Sequence, residues 1–138
     1  MVRENPSEVW MQRCLQLAQE AQERGEAAVG AVIVRDNALL AEASEQVNTR
    51  LDVTGHAELI AIRQTCQALG TIDLRGCTLY TNVEPCWMCS FAIRETGISE
   101  VVIGAPVADI GGATSSYPIL TDLSINGWRT PPTVSWSR

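Results

Sequence analysis

Two short motifs hold the residues able to do chemistry: Gly55-His56-Ala57-Glu58 and, further on, Glu84-Pro85-Cys86-Trp87-Met88-Cys89. His56 is the only histidine of the chain. One imidazole and two thiolates are three ligands of the kind zinc prefers. They leave the fourth tetrahedral position to water, the composition of a catalytic rather than a structural site. Zinc(II), two thiolates and a neutral imidazole carry no net charge together. A water bound there is acidified toward neutrality, to a pKa of about 7 in sites of this kind. Glu58 is the spare carboxylate that hydrolysis at such a centre needs for moving protons.

Each piece has an ordinary alternative. A single histidine is more often a hydrogen-bonded structural residue. A Cys-x-x-Cys is also a redox pair, and buried cysteines also serve as small core hydrophobes. The joint pattern with a strand between its halves favours zinc. Cys14, Cys66 and Cys77 read as core. Trp87 and Met88, between the cysteines, either line a substrate pocket or pack, and Trp87 is carried forward as a substrate-binding candidate.

The elements that must position these residues follow from hydrophobic spacing. Ser7 to Glu23 reads as a helix, with Trp10, Cys14, Leu17 and Ala21 on its buried face, Ser7 as N-cap and Gly25 past its end. Ala28 to Val34 and Ala38 to Val47 read as strands joined by a turn at Arg35-Asp36-Asn37. A polar loop, Asn48 to Thr54, leads into a helix from about Gly55 to Leu69. Thr54 is its expected cap, and Leu59, Ile62, Cys66 and Leu69 its buried stripe. Cys77 to Val83 is a strand, Cys86 to Thr96 a helix ending at Gly97, and Glu100 to Gly104 a strand. Strands alternating with helices call for parallel pairing. His56 and Glu58 then fall in the first turn of one helix, and Cys86 and Cys89 in the first turn of the next, one residue after Pro85. Positive helix ends aimed at the site favour thiolates.

From about residue 106 the chain is rich in loop chemistry: Gly111-Gly112, Ser115-Ser116, Pro118, Asn126-Gly127 and Pro131-Pro132. A short helix over Tyr117 to Leu123 and a last strand over Thr133 to Trp136 are expected. Trp128 and Trp136 in this tail are given no role.

The chain of 138 residues fits one domain with a core, taken as 1–138. No apolar stretch approaches the roughly 18 residues of a membrane span. The start, Met1 to Pro6, has no apolar signal core, so a cytoplasmic location is expected. Five cysteines without an export signal fit reduced thiols and metal ligation. The net charge is -6, and all ten basic residues are arginines, spread singly. A nucleic-acid partner usually leaves a basic footprint, so a nucleic acid is disfavoured as substrate.

On these motifs the chain resembles the cytidine-deaminase-like superfamily of zinc deaminases, marked by His-x-Glu followed by Pro-Cys-x-x-Cys. The similarity runs from about Ala27 to Ala105. The stretches Thr54 to Arg63 and Leu79 to Cys89 look most like the branch that holds guanine deaminases, fungal cytosine deaminases and tRNA adenosine deaminases. The resemblance implies a three-layer α/β/α fold around a mixed sheet of about five strands. It implies His56, Cys86 and Cys89 as zinc ligands, one Zn2+ per chain, and Glu58 as proton shuttle. It also implies that the Ala57 N–H holds a ring substituent and that an asparagine after the second strand binds the base, with Asn48 as the matching position. Asp109 stands near where guanine deaminases place an acid, and is assigned no role.

The expected function is hydrolytic removal of the exocyclic amino group of a free nucleobase or nucleoside, of guanine or cytosine type, releasing ammonia. Adenosine deamination in tRNA, or cytosine deamination in single-stranded DNA, is the alternative. A non-catalytic zinc-stabilised binding module is the second. A homodimer is the expected assembly.

Overall fold

Asn5 opens the first helix of the computed structural model, which describes residues 5–137 and leaves Met1–Glu4 and Arg138 outside the described residues. Its side chain accepts the Ser7 N–H at 2.9 Å, and Pro6 fills the first helical position of α1 (Pro6–Glu23). The cap is therefore Asn5 rather than Ser7, whose N–H is the donor being satisfied. Met11, Cys14, Leu17 and Ala21 are the buried face of α1.

The strands β1 (Gly30–Arg35) and β2 (Ala38–Ser44) form a hairpin. Its two turn residues, Asp36 and Asn37, both have positive φ (51° and 60°). That conformation matches the twist of paired strands, and Asn and Asp tolerate it. The next elements are α2 (Val47–Arg50), α3 (Ala57–Leu69), β3 (Thr78–Val83), α4 (Trp87–Thr96), β4 (Glu100–Ala105) and β5 (Thr133–Trp136). One sheet has the order β2-β1-β3-β4-β5. β1 is antiparallel to β2 and β3, while β4 is parallel to β3 and β5.

Alternation along the strands sorts the two faces. Ala31, Ile33, Leu79, Val101 and Ile103 pack with Ile60, Ala61 and Ile93 of α3 and α4. Val32, Val34, Tyr80 and Val102 pack with Met11, Cys14 and Leu17 of α1. The result is the expected three-layer α/β/α architecture around a mixed five-stranded sheet. Burial of a side chain such as Ile33, 0% exposed, contributes roughly 1.5–3 kcal/mol. Gly30 lets α1 lie close to the sheet, since a Cβ there would collide with the Cys14 carbonyl oxygen.

Further sequence expectations need correction, among them Thr54 as the cap of α3, a place taken by His56. β2 stops at Ser44, and part of the expected loop is the single helical turn α2. The Glu26 carboxylate accepts the N–H groups of Asn48 and Thr49 at 2.9 and 2.6 Å, capping that turn from a distant loop. No helix forms over Tyr117 to Leu123. The carbonyls of Ile119 and Asp122 instead accept from the Arg94 guanidinium at 3.0 and 2.6 Å, and Pro118 disfavours helical geometry at Tyr117. Among the described residues no helix is long and apolar enough to cross a membrane.

Candidate active site at two helix N-termini

His56 and Cys86 are N-cap residues, one position ahead of the first helical turns in which the sequence reading set them. Both have extended backbone (φ -69°, ψ 143° and φ -70°, ψ 178°), and neither side chain makes a capping hydrogen bond to its helix. Cys89 lies in the first turn of α4. The His56 Nδ1 stands 3.4 Å from Cys86 Sγ and 3.5 Å from Cys89 Sγ. All three donor atoms lie within 4.8 Å of one another. Zinc–nitrogen and zinc–sulfur bonds in tetrahedral geometry would separate nitrogen from sulfur by about 3.6 Å, so the cradle has the size zinc requires.

The charge state of the metal-free cradle is set by the same contacts. Hydrogen bonding from Cys89, and then from His56, brings the Cys86 thiol down to about 4. The hydrogen bond to Cys86 raises His56 to about 9. Cys89 is pushed well above its usual value, first by Cys86 and then by burial. The cradle thus holds one thiolate, one thiol and an imidazolium, with two positive helix ends behind them.

Glu58 follows on the first turn of α3 and is 3% exposed. Burial, with the Glu45 charge adding to it, raises its carboxyl to about 8. His56, Glu58 and Cys86 line one cavity of about 380 Å3, in company with Glu45, Val107 and Ile110. That is within the range of ligand pockets, roughly 300–1,000 Å3. Larger clefts lie at Arg75 and Arg129 and at Phe91 and Trp128, but neither contains a metal ligand or Glu58.

The residues expected to bind substrate are distributed differently. Asn48 is not among those lining the cavity; its amide donates to the Gly25 carbonyl at 3.0 Å. Trp87 also lies off the cavity, half-exposed, with its indole N–H donating to Ser115 Oγ at 3.0 Å and its ring edge-on to Tyr117. The Ala57 N–H is at the site but already donates to Glu45 Oε1 at 2.9 Å. The residue after the second strand that faces the cavity is Glu45, which the sequence reading missed. Its signal was parity: Ala41, Ala43 and Glu45 alternate inward at 7%, 5% and 7% exposure.

A second missed residue is Glu84, 2% exposed. Its carboxylate accepts the N–H groups of Val107, Ala113 and Thr114 at 2.9, 2.7 and 2.8 Å, and the Thr114 hydroxyl at 2.6 Å. These bonds hold its carboxyl below its usual value despite burial. Gly111 pairs with Cys86 in an isolated bridge, and a Cβ at Gly111 would collide with the Glu84 carboxylate. One pocket wall is thereby tied to a ligand loop.

This fold, with its His-x-Glu and Cys-x-x-Cys at the mouths of two helices, defines a zinc-dependent hydrolase acting on C–N bonds. The chain belongs to the cytidine and deoxycytidylate deaminase zinc-binding family, whose pattern it matches over residues 4–105. It is 38% identical over 119 residues to the tRNA-specific adenosine deaminase of Aquifex aeolicus, covering 86% of this chain and 79% of that protein. It is 46% identical over 87 residues to the guanine deaminase of Bacillus subtilis, covering 62% of this chain and 56% of that one. A structure from work on A-to-I editing by tRNA:A34 deaminases superposes with a TM-score of 0.87 at 33% identity, covering 96% of this chain and all of that one. Zinc is accordingly the cofactor, and His56, Cys86 and Cys89 are positioned to bind one ion.

Proposed function

We propose that the chain hydrolytically deaminates a nucleobase ring, with a free base or nucleoside as substrate, and that His56, Cys86 and Cys89 hold its zinc. The observation that carries this reading is Glu58, a buried carboxylate facing the same cavity as His56 and Cys86. Zinc, when bound, supplies a Lewis acid that acidifies water for attack on the amino-bearing ring carbon. Glu58 takes the proton that water loses. It delivers that proton to the adjacent ring nitrogen, then takes the proton of the hydroxyl newly formed on the ring carbon and passes it to the leaving amine. The C–O bond forms, the C–N bond breaks, and ammonia departs from an oxo product. Burial of Glu58 suits both directions of transfer near neutrality.

The choice of a small substrate rests on charge. Glu45, Glu58 and Glu84 line the cavity, and no arginine does. A phosphate of the substrate would find, among the residues lining this cavity, none of the cations that release counterions. Similarity to tRNA-specific adenosine deaminases favours the second reading, adenosine in tRNA. Ammonia release from free bases, nucleosides and tRNA, at low and moderate salt, separates the two. Turnover of small substrates with little salt dependence is expected; exclusive turnover of tRNA with steep salt dependence would replace this substrate with the second. A homodimer is proposed as the assembly, supported by exposed apolar residues such as Phe91 and Tyr117, 55% and 66% exposed. Sedimentation equilibrium tests it.

A further inference from the structure

Glu45 has no part in the chemistry above, yet it is a buried carboxylate on the substrate cavity. Its Oε1 is occupied by the Ala57 N–H at 2.9 Å, which fixes the orientation of the group. Among the described residues, Oε2 accepts no hydrogen bond, and no arginine pairs with Glu45; the ion pairs are Arg13 with Glu20 and Glu42, and Arg75 with Asp73. A carboxylate taken largely out of water with an open oxygen needs a donor, and the cavity is where one can arrive.

The shape of the reaction limits what that donor is. The ring carbon that loses its amine has two ring neighbours. One must be a nitrogen with a lone pair, because Glu58 protonates it. In adenine and cytosine the other neighbour is carbon, which offers a carboxylate nothing. In a 2-amino-4-oxopyrimidine ring, the edge shared by guanine, isocytosine and pterin, the other neighbour is an N–H.

We propose that Glu45 is the specificity-determining residue of the pocket, and that its free oxygen accepts the ring N–H beside the amino-bearing carbon of a 2-amino-4-oxopyrimidine edge. The proposal rests on the deaminase reading and narrows it to one class of ring. A site built to accept a hydrogen bond rejects analogues that cannot donate it by factors as large as ~10⁴. A preference of at least ~100-fold for guanine over adenine and cytosine is therefore expected.

The test uses the zinc-loaded protein. First, kcat/KM is measured with guanine, guanosine, isocytosine, adenine, adenosine and cytosine for the parent, Glu45→Gln and Glu45→Asp. Glu45→Gln keeps an oxygen for the Ala57 N–H and turns the open oxygen into a donor. It should shrink the guanine preference at least ~10-fold through KM and leave zinc content unchanged, whereas Glu45→Asp, still an acceptor, should keep part of it. Second, 9-methylguanine and 9-methyladenine are titrated calorimetrically into Glu58→Gln protein, with and without Glu45→Gln. Tighter binding of 9-methylguanine that Glu45→Gln abolishes supports the proposal even where no heterocycle is turned over, an outcome that would fault the deaminase reading alone. Equal binding of the two ligands, or an equal loss toward all substrates in Glu45→Gln, overturns the role of Glu45 while leaving deamination intact.

Discussion

The metal cradle and the crossover from β4 to β5 solve the same problem, holding loop atoms still, in opposite ways. The cradle uses backbone: His56 and Cys86 cap helices that rest on the sheet, so their positions follow from regular elements. The crossover, residues 106–132, contains no helix. Two buried ionic side chains hold it. Glu84 gathers its first half through the N–H groups of Val107, Ala113 and Thr114. Arg94, 2% exposed, gathers the second through the carbonyls of Ile119, Asp122 and Arg129, and stacks 4.0 Å from the Trp128 ring centre. An acid collects donors, a base collects acceptors, and each replaces a helix that the loop lacks. The chemistry thus rests on secondary structure, and the pocket wall on single side chains.

The sharpest break falls on the cradle. His56→Ala and Cys86→Ala should each abolish zinc binding and activity together, read by elemental analysis of purified protein against about one zinc per chain in the parent. A variant that keeps full zinc would remove that residue from the ligand set. Glu58→Gln should keep zinc and fold while the rate falls by about 10²- to 10⁴-fold. Near-parental turnover would move proton transfer to another group.

The crossover should respond differently. Arg94→Ala leaves three carbonyls without their donor and should destabilise the fold by roughly 2–4 kcal/mol in urea unfolding, with zinc retained. Glu84→Gln loses charge-assisted acceptance and should lose less, about 1–3 kcal/mol, with KM rising because Val107 and Ile110 shift. If either variant releases zinc as His56→Ala does, wall and cradle are one unit and the contrast is wrong.

The smallest signal is spectroscopic. In metal-free protein the Cys86 pKa of about 4 lies below the ordinary thiol value of 9.0. Its thiolate should therefore persist as pH falls from 9 and disappear only near 4, followed by absorbance at 240 nm. Zinc binding at pH 7 should then release protons from Cys89 and His56, whose values are raised, and none from Cys86. Thiolate absorbance that vanishes by pH 7 would contradict the hydrogen-bonded cradle.

What the sequence disclosed follows the same division. The clustering of His56, Cys86 and Cys89 beside Glu58 was legible because each motif is local, and N-capping geometry is written within a few residues of His56 and Cys86. The sheet was legible from alternation, down to the turn at Asp36 and Asn37. Asn48 was the position the family resemblance pointed to, but Glu26, distant in sequence, caps its turn, and the Asn48 amide itself donates to the Gly25 carbonyl. Tyr117 to Leu123 was expected to be a short helix, but Pro118 disfavours helical geometry there and Arg94, on another element, takes the carbonyls of Ile119 and Asp122. Glu45 was within reach, since the expected strand Ala38 to Val47 already held it in the same inward parity as Ala41 and Ala43. Long-range partners of single side chains leave no periodic trace, so the wall stayed hidden.

The parallel pairing of β5 with β4 also sets an order of assembly. The hairpin, α3 and the β3–α4–β4 unit close through short connections, and the N-terminal ends of α3 and α4 bring with them every residue of the cradle and Glu58. β5 can join only after residues 106–132 have been closed into a loop, and such long-range parallel pairing forms slowly. A folding chain therefore completes its cradle while the pocket is still open on one side. Zinc can enter by that open side, before Glu84 draws the wall across it. Loading the metal during folding should consequently be faster than loading it into the finished protein, where the crossover already lines one side of the cavity.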